Sequence, residues 1–358
     1  MTTIADRLLE LSGPEPLLTG LGLAERGLLP DTLLRLGIRN LCRDRLRQER
    51  AGDWSLRKQS RIDELKQSAI AIETEAANVQ HYELPPVFFQ RALGKRLKYS
   101  SCYYATGRET LDQAEVAMLD LYFERAELKD GQSILELGCG WGSMTLTMAE
   151  RLPNARIVGV SNSHGQRQYI ESECKRRGLQ NVRIITNDVN RLELPERQFD
   201  RCVSIEMFEH MRNYEQLLGR ISRWLKADGK LFVHIFCHQY LCYPFETDGD
   251  QDWMARHFFT GGLMPATDTL LWFQKDLQIE AQWQVNGRHY QQTANHWLEN
   301  QDRHRDDILK LMGDTYGANR AALWHQRWRM FWMACAELFG YRDGTEWLVA
   351  HYRFSNRG

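Results

Sequence analysis

The sequence has no pair of cysteines spaced C-x-x-C. Its eight cysteines, at positions 42, 102, 139, 174, 202, 237, 242 and 335, are scattered singly along 358 residues. That usage excludes a disulfide frame or a zinc ribbon and reads as reduced thiols in a cytoplasmic protein. Neither charge is in excess: 46 Lys and Arg stand against 47 Asp and Glu, a formal net charge of −1, which argues against nucleic acid as the main partner. No apolar run approaches the ~20 residues that span a bilayer, so stable membrane insertion is not expected. The opening MTTIADRLLELSG lacks the basic and apolar regions of a secretory signal. Internal repeats and low-complexity segments are missing as well.

What is present is 43 % hydrophobic and 26 % charged, the balance of a chain that folds around a core. Residues 1 to about 80 read as helices: ADRLLELS, LPDTLLRLGIRNLCRDRLRQE and RIDELKQSAIAIETEAANVQHY, the last two separated by the turn-rich AGDWS. Between Arg35 and Arg61 nine Lys and Arg face three Asp and Glu. Because both signs are interspersed, the run reads as a solvated helix face; attraction to an anionic membrane surface is the sharper alternative, and it leaves room for peripheral contact with lipid. From Gln132 onward short β-branched runs (SILEL, RIVGV, VRIIT, RCVSIE, KLFVHIF) alternate with helical stretches (MTLTMAERL, GQRQYIESECKRRG, EQLLGRISRWLK). That alternation implies βαβ units and a parallel sheet covered on both faces. Residues 247–275 are irregular and aromatic. LQIEAQWQVN and WLVAHYRF read as two further strands, with helices over 292–312 and 318–339 between them.

In an open parallel sheet the ligand crevice lies beyond the carboxyl ends of the strands. There, directly after SILEL, comes Gly138-Cys139-Gly140-Trp141-Gly142. The spacing is neither the G-x-G-x-x-G of a dinucleotide fold nor a phosphate-binding P-loop, and the second strand ends in Ser161-Asn162 without the acid that holds an NAD ribose. Glu136 before the glycines and Asn187-Asp188 after the third strand fall at the same end of the sheet. Together these features resemble the S-adenosylmethionine site of class I methyltransferases. The resemblance implies that Gly138, Gly140 and Gly142 pass under the amino-acid part of the cofactor. Asn162 with Gln166 would hold the ribose and Asp188 the adenine. Asn162 departs from the usual acidic residue, although an amide still serves a ribose hydroxyl.

The fourth strand leads into Ser204-Ile205-Glu206-Met207-Phe208-Glu209-His210-Met211. Two carboxylates and an imidazole within five residues, at the crevice end of the strand beside the first, form a dense titratable cluster. Methyl transfer from a sulfonium is an in-line displacement. An amine acceptor with a lysine-like pKa of about 10.4 is only about 0.1 % neutral near pH 7.4, so its proton must be dealt with. Glu209 and His210 are the expected acid–base groups and Glu206 the polar positioner. His234 and His238 lie four apart on a strand exit, a spacing that does not converge two imidazoles, so no metal site is expected.

HYELPPVFF, YSSCYY, TLDQAEVAMLDLYFERAELKDGQSILELGCGWG, VSNSHGQRQYIE, SIEMFEHMRNYE, FTGGLMPATDTLLWFQKDL and ELFGYRDGTEWLVAHYRF resemble the plant coclaurine N-methyltransferase family. That family sits within the cyclopropane-fatty-acid-synthase-like methyltransferases, and the likeness runs from about Val79 to Phe354. It implies N-methylation of a small tetrahydroisoquinoline or related cyclic or arylalkyl amine, with S-adenosylmethionine as donor and Glu206, Glu209 and His210 as the catalytic set. By the same likeness Tyr99 and Ser100 meet the cofactor's carboxylate and Tyr82 and Glu83 belong to a substrate lid. Phe259 in the cap and Phe331 or Trp332 in the late helix would face the ligand. The implied architecture is a Rossmann-like, seven-stranded, mostly parallel sheet with its last strand antiparallel. A helical N-terminal region (1–110) contributes to the lid, and the core (111–358) carries a cap at about 246–276 and late helices within 292–339. A monomer or homodimer is expected. The rival within the family is the lipid branch, a cyclopropane synthase or fatty-acyl methyltransferase that uses bicarbonate as base. It has Gly at the position of Glu206 and Cys at that of Ser101.

Overall fold

The computed structural model describes residues 15–16, 19–72, 84–245 and 253–357. Seven strands make one sheet: β1 (Ser133–Leu137), β2 (Arg156–Ser161), β3 (Val182–Thr186), β4 (Phe199–Ile205), β5 (Leu225–His238), β6 (Leu277–Val285) and β7 (Trp347–Asn356). Their order is β3-β2-β1-β4-β5-β7-β6. All neighbours pair parallel except β7, which runs antiparallel to both β5 and β6. The expected seven-stranded sheet with a reversed last strand is therefore the one observed. Strand order reverses between β1 and β4, which opens a crevice at their carboxyl ends.

Helices α1 (Gly20–Glu25), α2 (Asp31–Arg50), α3 (Trp54–Gln67), α4 (Pro86–Ala92) and α5 (Leu111–Arg125) precede the sheet. Within the alternating region lie α6 (Ser143–Arg151), α7 (His164–Arg177), α8 (Tyr214–Trp224) and the short α9 (Trp253–Phe258), followed by α10 (Arg288–Arg303), α11 (Arg305–Tyr316) and α12 (Ala321–Phe339). Local chemistry sets several of these ends. Thr110 and Gln113 close a capping box at the start of α5, and the Ser163 side chain accepts from the Gln166 amide at the start of α7. Two apolar clusters, one containing Phe88, Tyr122 and Trp328 and the other Ile62, Tyr214 and Phe273, cover the sheet.

Three expectations about elements need correction. Trp54, placed in a turn, opens α3, because Asp53 caps it through the Leu56 amide. The helix expected to continue from RIDELKQ to Tyr82 stops at Gln67; the described residues beyond it leave helical geometry because tertiary bonds claim their backbone. Arg212 N donates to Ile70 O (2.7 Å), Asn213 Nδ2 to Lys66 O and Ser68 O, and Ala71 exchanges two bonds with the Asn190 side chain. The single helix over 292–312 is two, broken at His304.

The basic run from Arg35 to Arg61 is not merely a solvated face. Arg35 and Arg39 both hold Glu337 of α12, Arg50 holds Glu346 (2.6 Å) and Lys58 holds Asp268 (2.7 Å). Opposite charges hundreds of residues away, which no local reading pairs, thus bind α2 and α3 to the far end of the chain. Behind them Glu25 and Arg327, both fully buried, pair at 2.9 Å, and Trp253 Nε1 donates to the same carboxylate.

Candidate active site

The three glycines after β1 all have positive φ (+80°, +50° and +82°), a region that side chains resist, but they are bare for different reasons. A Cβ on Gly138 would lie 2.7 Å from Met207, and one on Gly142 would lie 2.7 Å from Ile170. A Cβ on Gly140 would meet nothing within 4 Å. Two glycines therefore admit the protein's own side chains, and only Gly140 opens directly onto free space.

That space is a cleft of two lobes. Ile72, Asn162, Asp188, Leu192, His210 and Thr260 line one; Lys98, Tyr99, Ser100, Glu136, Trp141 and Ser143 line the other. Gly138, Gly140, Gln166 and Glu206 border both. Gln166 Oε1 accepts from Ser161 Oγ (2.7 Å), while its buried Nε2 has no partner among the described residues. A buried amide donor left over at the rim of a cleft is built for a ligand acceptor. Asp188 sits at the mouth of β3, its Oδ1 accepting from Asn190 N at 2.8 Å. Glu136 is buried, receives Thr145 Oγ1 and is pushed up by burial to a pKa of about 8. Lys98, also buried, donates to Ser100 Oγ (2.5 Å) and Ser101 O (2.6 Å) and lies 5.0 Å from the Tyr122 ring centre. These surroundings fit a ligand with a sugar and base at one end and a charged amino-acid moiety at the other.

Glu206 follows β4 with φ +46°, a conformation that favours glycine and costs a residue with a Cβ on the order of 1 kcal/mol. Its amide donates to His234 O (2.9 Å), which ties the turn to β5. Its carboxylate accepts from Ser101 N at 2.9 Å and Tyr290 OH at 2.7 Å, and His234 Nε2 lies 2.9 Å from it. Burial raises its proton affinity; Lys98 and the Ser101 and Tyr290 donors oppose that rise.

Glu209 and His210 share one turn but not one environment. Glu209 is fully buried, stands behind the cleft wall and accepts from Phe236 N at 2.7 Å. Burial and the neighbouring charge of Glu206 hold its pKa well above the carboxylate range, so of the two acids it is the one that keeps a proton. His210 lines the cleft and stacks on Phe259, ring centres 4.6 Å apart. Burial, helped by Arg212, pushes its pKa down to about 4, so the ring is a neutral imidazole above that pH.

The aromatic expectations divide in the same way. Phe259 backs His210 rather than lining the cleft. Phe331 stacks on Phe258 at 4.5 Å. Trp332 is fully buried, donates to Gln301 Oε1 (2.7 Å) and reaches only the edge of Tyr99. Both late-helix aromatics are core behind the site, because α12 packs Phe331 against α9 and Trp332 against α10. Tyr82 and Glu83 lie outside the described residues. His238 accepts from the backbone amides of Tyr240 and Leu241. Lys98, Tyr290 and His234 were not singled out as site residues from the sequence. Only the buried-lysine placement next to Tyr99-Ser100 offered a local signal for one of them.

A family model described as mycolic acid cyclopropane synthetase matches residues 71–346. The (S)-coclaurine N-methyltransferase of Papaver somniferum is 37 % identical over 98 % of this chain and 100 % of its own. The cyclopropane-fatty-acyl-phospholipid synthase of Escherichia coli strain K12 is 29 % identical over 78 % of this chain and 68 % of its own. A crystal structure of coclaurine N-methyltransferase bound to N-methylheliamine and SAH matches with a TM-score of 0.89 at 38 % identity, covering 93 % of this chain and 97 % of that one. With the family model spanning most of its length and a plant relative aligned nearly end to end, the chain belongs to the mycolic acid cyclopropane synthetase family, on its coclaurine N-methyltransferase branch.

Proposed function

We propose that this chain transfers a methyl group from S-adenosylmethionine to the nitrogen of a tetrahydroisoquinoline or related alkaloid-type cyclic or arylalkyl amine. The observation that carries this reading is the two-lobed cleft whose lobes meet at Gly140, Gln166 and Glu206, with a neutral imidazole on its wall. S-adenosylmethionine, when bound, supplies a methyl group on a positively charged sulfur, already activated for in-line displacement.

The rest falls to the chain. Asp188, Asn162 and the Nε2 of Gln166 hold the nucleoside end, and Ser100, held by Lys98 Nζ, serves the carboxylate of the amino-acid end, with Tyr99 beside it. His210, uncharged above about pH 4, puts no positive charge in the way of an amine. Its ring nitrogen accepts a hydrogen bond from the N–H of the neutral amine, whose extra proton has gone to water, and leaves the nitrogen lone pair facing the methyl. Glu209 sits behind as the buried acid that fixes the turn through Phe236 N. Glu206 places a carboxylate at the junction of the lobes, where a sulfonium and an ammonium both gain from negative charge.

The same carboxylate speaks against the lipid reading. Ser101 N, His234 and Tyr290 form a ring of donors that would suit a free oxyanion, and Glu206 fills it. No helix among the described residues is long and apolar enough to cross a membrane. The eight unpaired cysteines support a cytoplasmic setting.

The test is incubation of the purified protein with S-adenosylmethionine and, separately, simple arylalkylamines, tetrahydroisoquinolines and phospholipid vesicles, with product mass as readout. The expected result is a mono-methylated amine. Methyl incorporation confined to the vesicles, or none into any amine, overturns the reading.

A further inference from the structure

A line of hydrogen bonds leaves the back of the site and crosses the sheet. His234 Nε2 lies 2.9 Å from Glu206 Oε1, and His234 Nδ1 lies 2.9 Å from His351 Nε2. His351 Nδ1 lies 2.6 Å from a guanidinium nitrogen of Arg125, the last residue of α5. The two histidines are direct register partners on the antiparallel strands β5 and β7, and both are fully buried. Arg125 itself is only part-buried. The Trp283 ring lies 5.1 Å from its guanidinium carbon, and the Arg125 carbonyl receives Arg353 at 3.0 Å.

Neither imidazole can be read in isolation, since a neutral ring has one donor and one acceptor and each choice forces the next. An arginine only donates. His351 Nδ1 must therefore be the acceptor, so the proton of His351 is on Nε2 and points at His234 Nδ1. That nitrogen must then accept, and Tyr122 OH, 2.8 Å from it, faces the same lone pair. The proton of His234 is thus left on Nε2, aimed at Glu206. Burial keeps both rings neutral, and Arg125 and Lys98 add to that by repelling a second positive charge. The opposite tautomers would turn a lone pair of His234 toward the Glu206 carboxylate, acceptor against acceptor, and the carboxylate would have to rotate away or take up a proton.

We propose that Arg125 is a remote positioning residue for methyl transfer: through His351 and His234 it dictates the tautomer that holds the Glu206 carboxylate in place at the junction of the cleft. The proposal rests on the amine methyltransferase reading for its kinetic consequence but not for its structural one. None of the three residues lines either lobe of the cleft.

The experiment combines spectroscopy with kinetics. The nitrogen-15 spectrum of protein labelled in its histidines should show His234 and His351 both as neutral Nε2–H tautomers, assigned by His234→Gln and His351→Gln. Either ring found with its proton on Nδ1 overturns the proposal, whatever the protein's activity. Arg125→Met should release the tautomers and lower kcat about tenfold to a hundredfold, the scale of losses when a group that orients a working residue is removed. Cofactor Kd should stay within about threefold, and Arg125→Lys, which also only donates, should restore most of the rate. If Arg125→Met keeps the parental kcat, or if its loss is matched by Arg125→Lys with unchanged histidine spectra, the proposal fails. A parental protein that methylates no amine would sink the functional reading and leave the tautomer result to stand or fall alone.

Discussion

At the scale of single residues the site separates groups that adjoin in sequence. Glu209 and His210 are consecutive, yet one is sealed behind the wall and the other forms part of it. The difference comes from a single turn of 3-10 helix over Phe208–His210, which points neighbouring side chains in different directions. On the proposed reading the imidazole is the group at the amine, and His210→Ala should then cut kcat by about 10²- to 10⁴-fold, the range for losing a positioned group of this kind. Cofactor affinity, measured by calorimetry, should change less than about threefold. A variant that turns over at the parental rate would remove His210 from the reaction. Glu206 makes the complementary point: a carboxylate on a backbone that prefers glycine is kept where its three donors need it.

At the scale of elements the strand-to-helix turns place the cleft, and the turn between β1 and α6 shows how. Gly138 is bare to admit Met207 and Gly142 to admit Ile170, whereas Gly140 is bare toward the cleft. Gly138→Ala and Gly142→Ala should each lower Tm by several degrees, since a methyl must displace a packed side chain on a left-handed backbone. Gly140→Ala carries only the backbone strain, so its Tm loss should be smaller. Its larger effect should be on S-adenosylmethionine binding, with Kd raised about tenfold or more. Thermal melts and titrations of the three variants check this, and equal Tm losses with equal binding would refute the division. The N-terminal elements serve the site from the other side, where residues 68–71 are bonded to Asn190, Arg212 and Asn213 and so brace the turn that carries His210.

The whole molecule carries an unusual load of buried ionisable groups, and their signs oppose each other. Burial lowers the pKa of His210, His234, His238, His257, His289, His296, His325 and His351. Each is neutral when folded and protonated when unfolded below about pH 6.5, so the unfolded state binds more protons there and stability falls as pH drops from 6.5. Burial raises Glu115 to about 7 and Glu136 to about 8, and it holds Glu209 well above the carboxylate range. These hold protons when folded that the unfolded chain releases above about pH 4.5, so their contribution falls as pH climbs. Between 4.5 and 6.5 the more numerous histidines outweigh the acids; above 6.5 only the acids remain. Tm should therefore peak between pH 6 and 7, fall toward pH 5 and decline more gently toward pH 8. A monotonic profile from pH 5 to 8 would contradict this balance.

The reversed last strand was implied by the family resemblance; the alternating β-branched runs and helical stretches were enough to specify the parallel sheet and the crevice end, because strand and helix periods are local and the crossover rule is general. The glycine turn, Asp188 and the Glu206-x-x-Glu209-His210 segment could be placed at that crevice for the same reason. What each of those residues faces was decided by tertiary structure alone. The turn that hides Glu209, the inward face of α12 that removes Phe331 and Trp332 from the cleft, and the arrival of Tyr290, His234 and Lys98 around Glu206 depend on contacts between residues up to a hundred or more positions apart. So does the pairing of Arg35 and Arg39 with Glu337. Burial and hydrogen-bond partners set charge state and direction, and both are properties of the packed chain rather than of any segment of it.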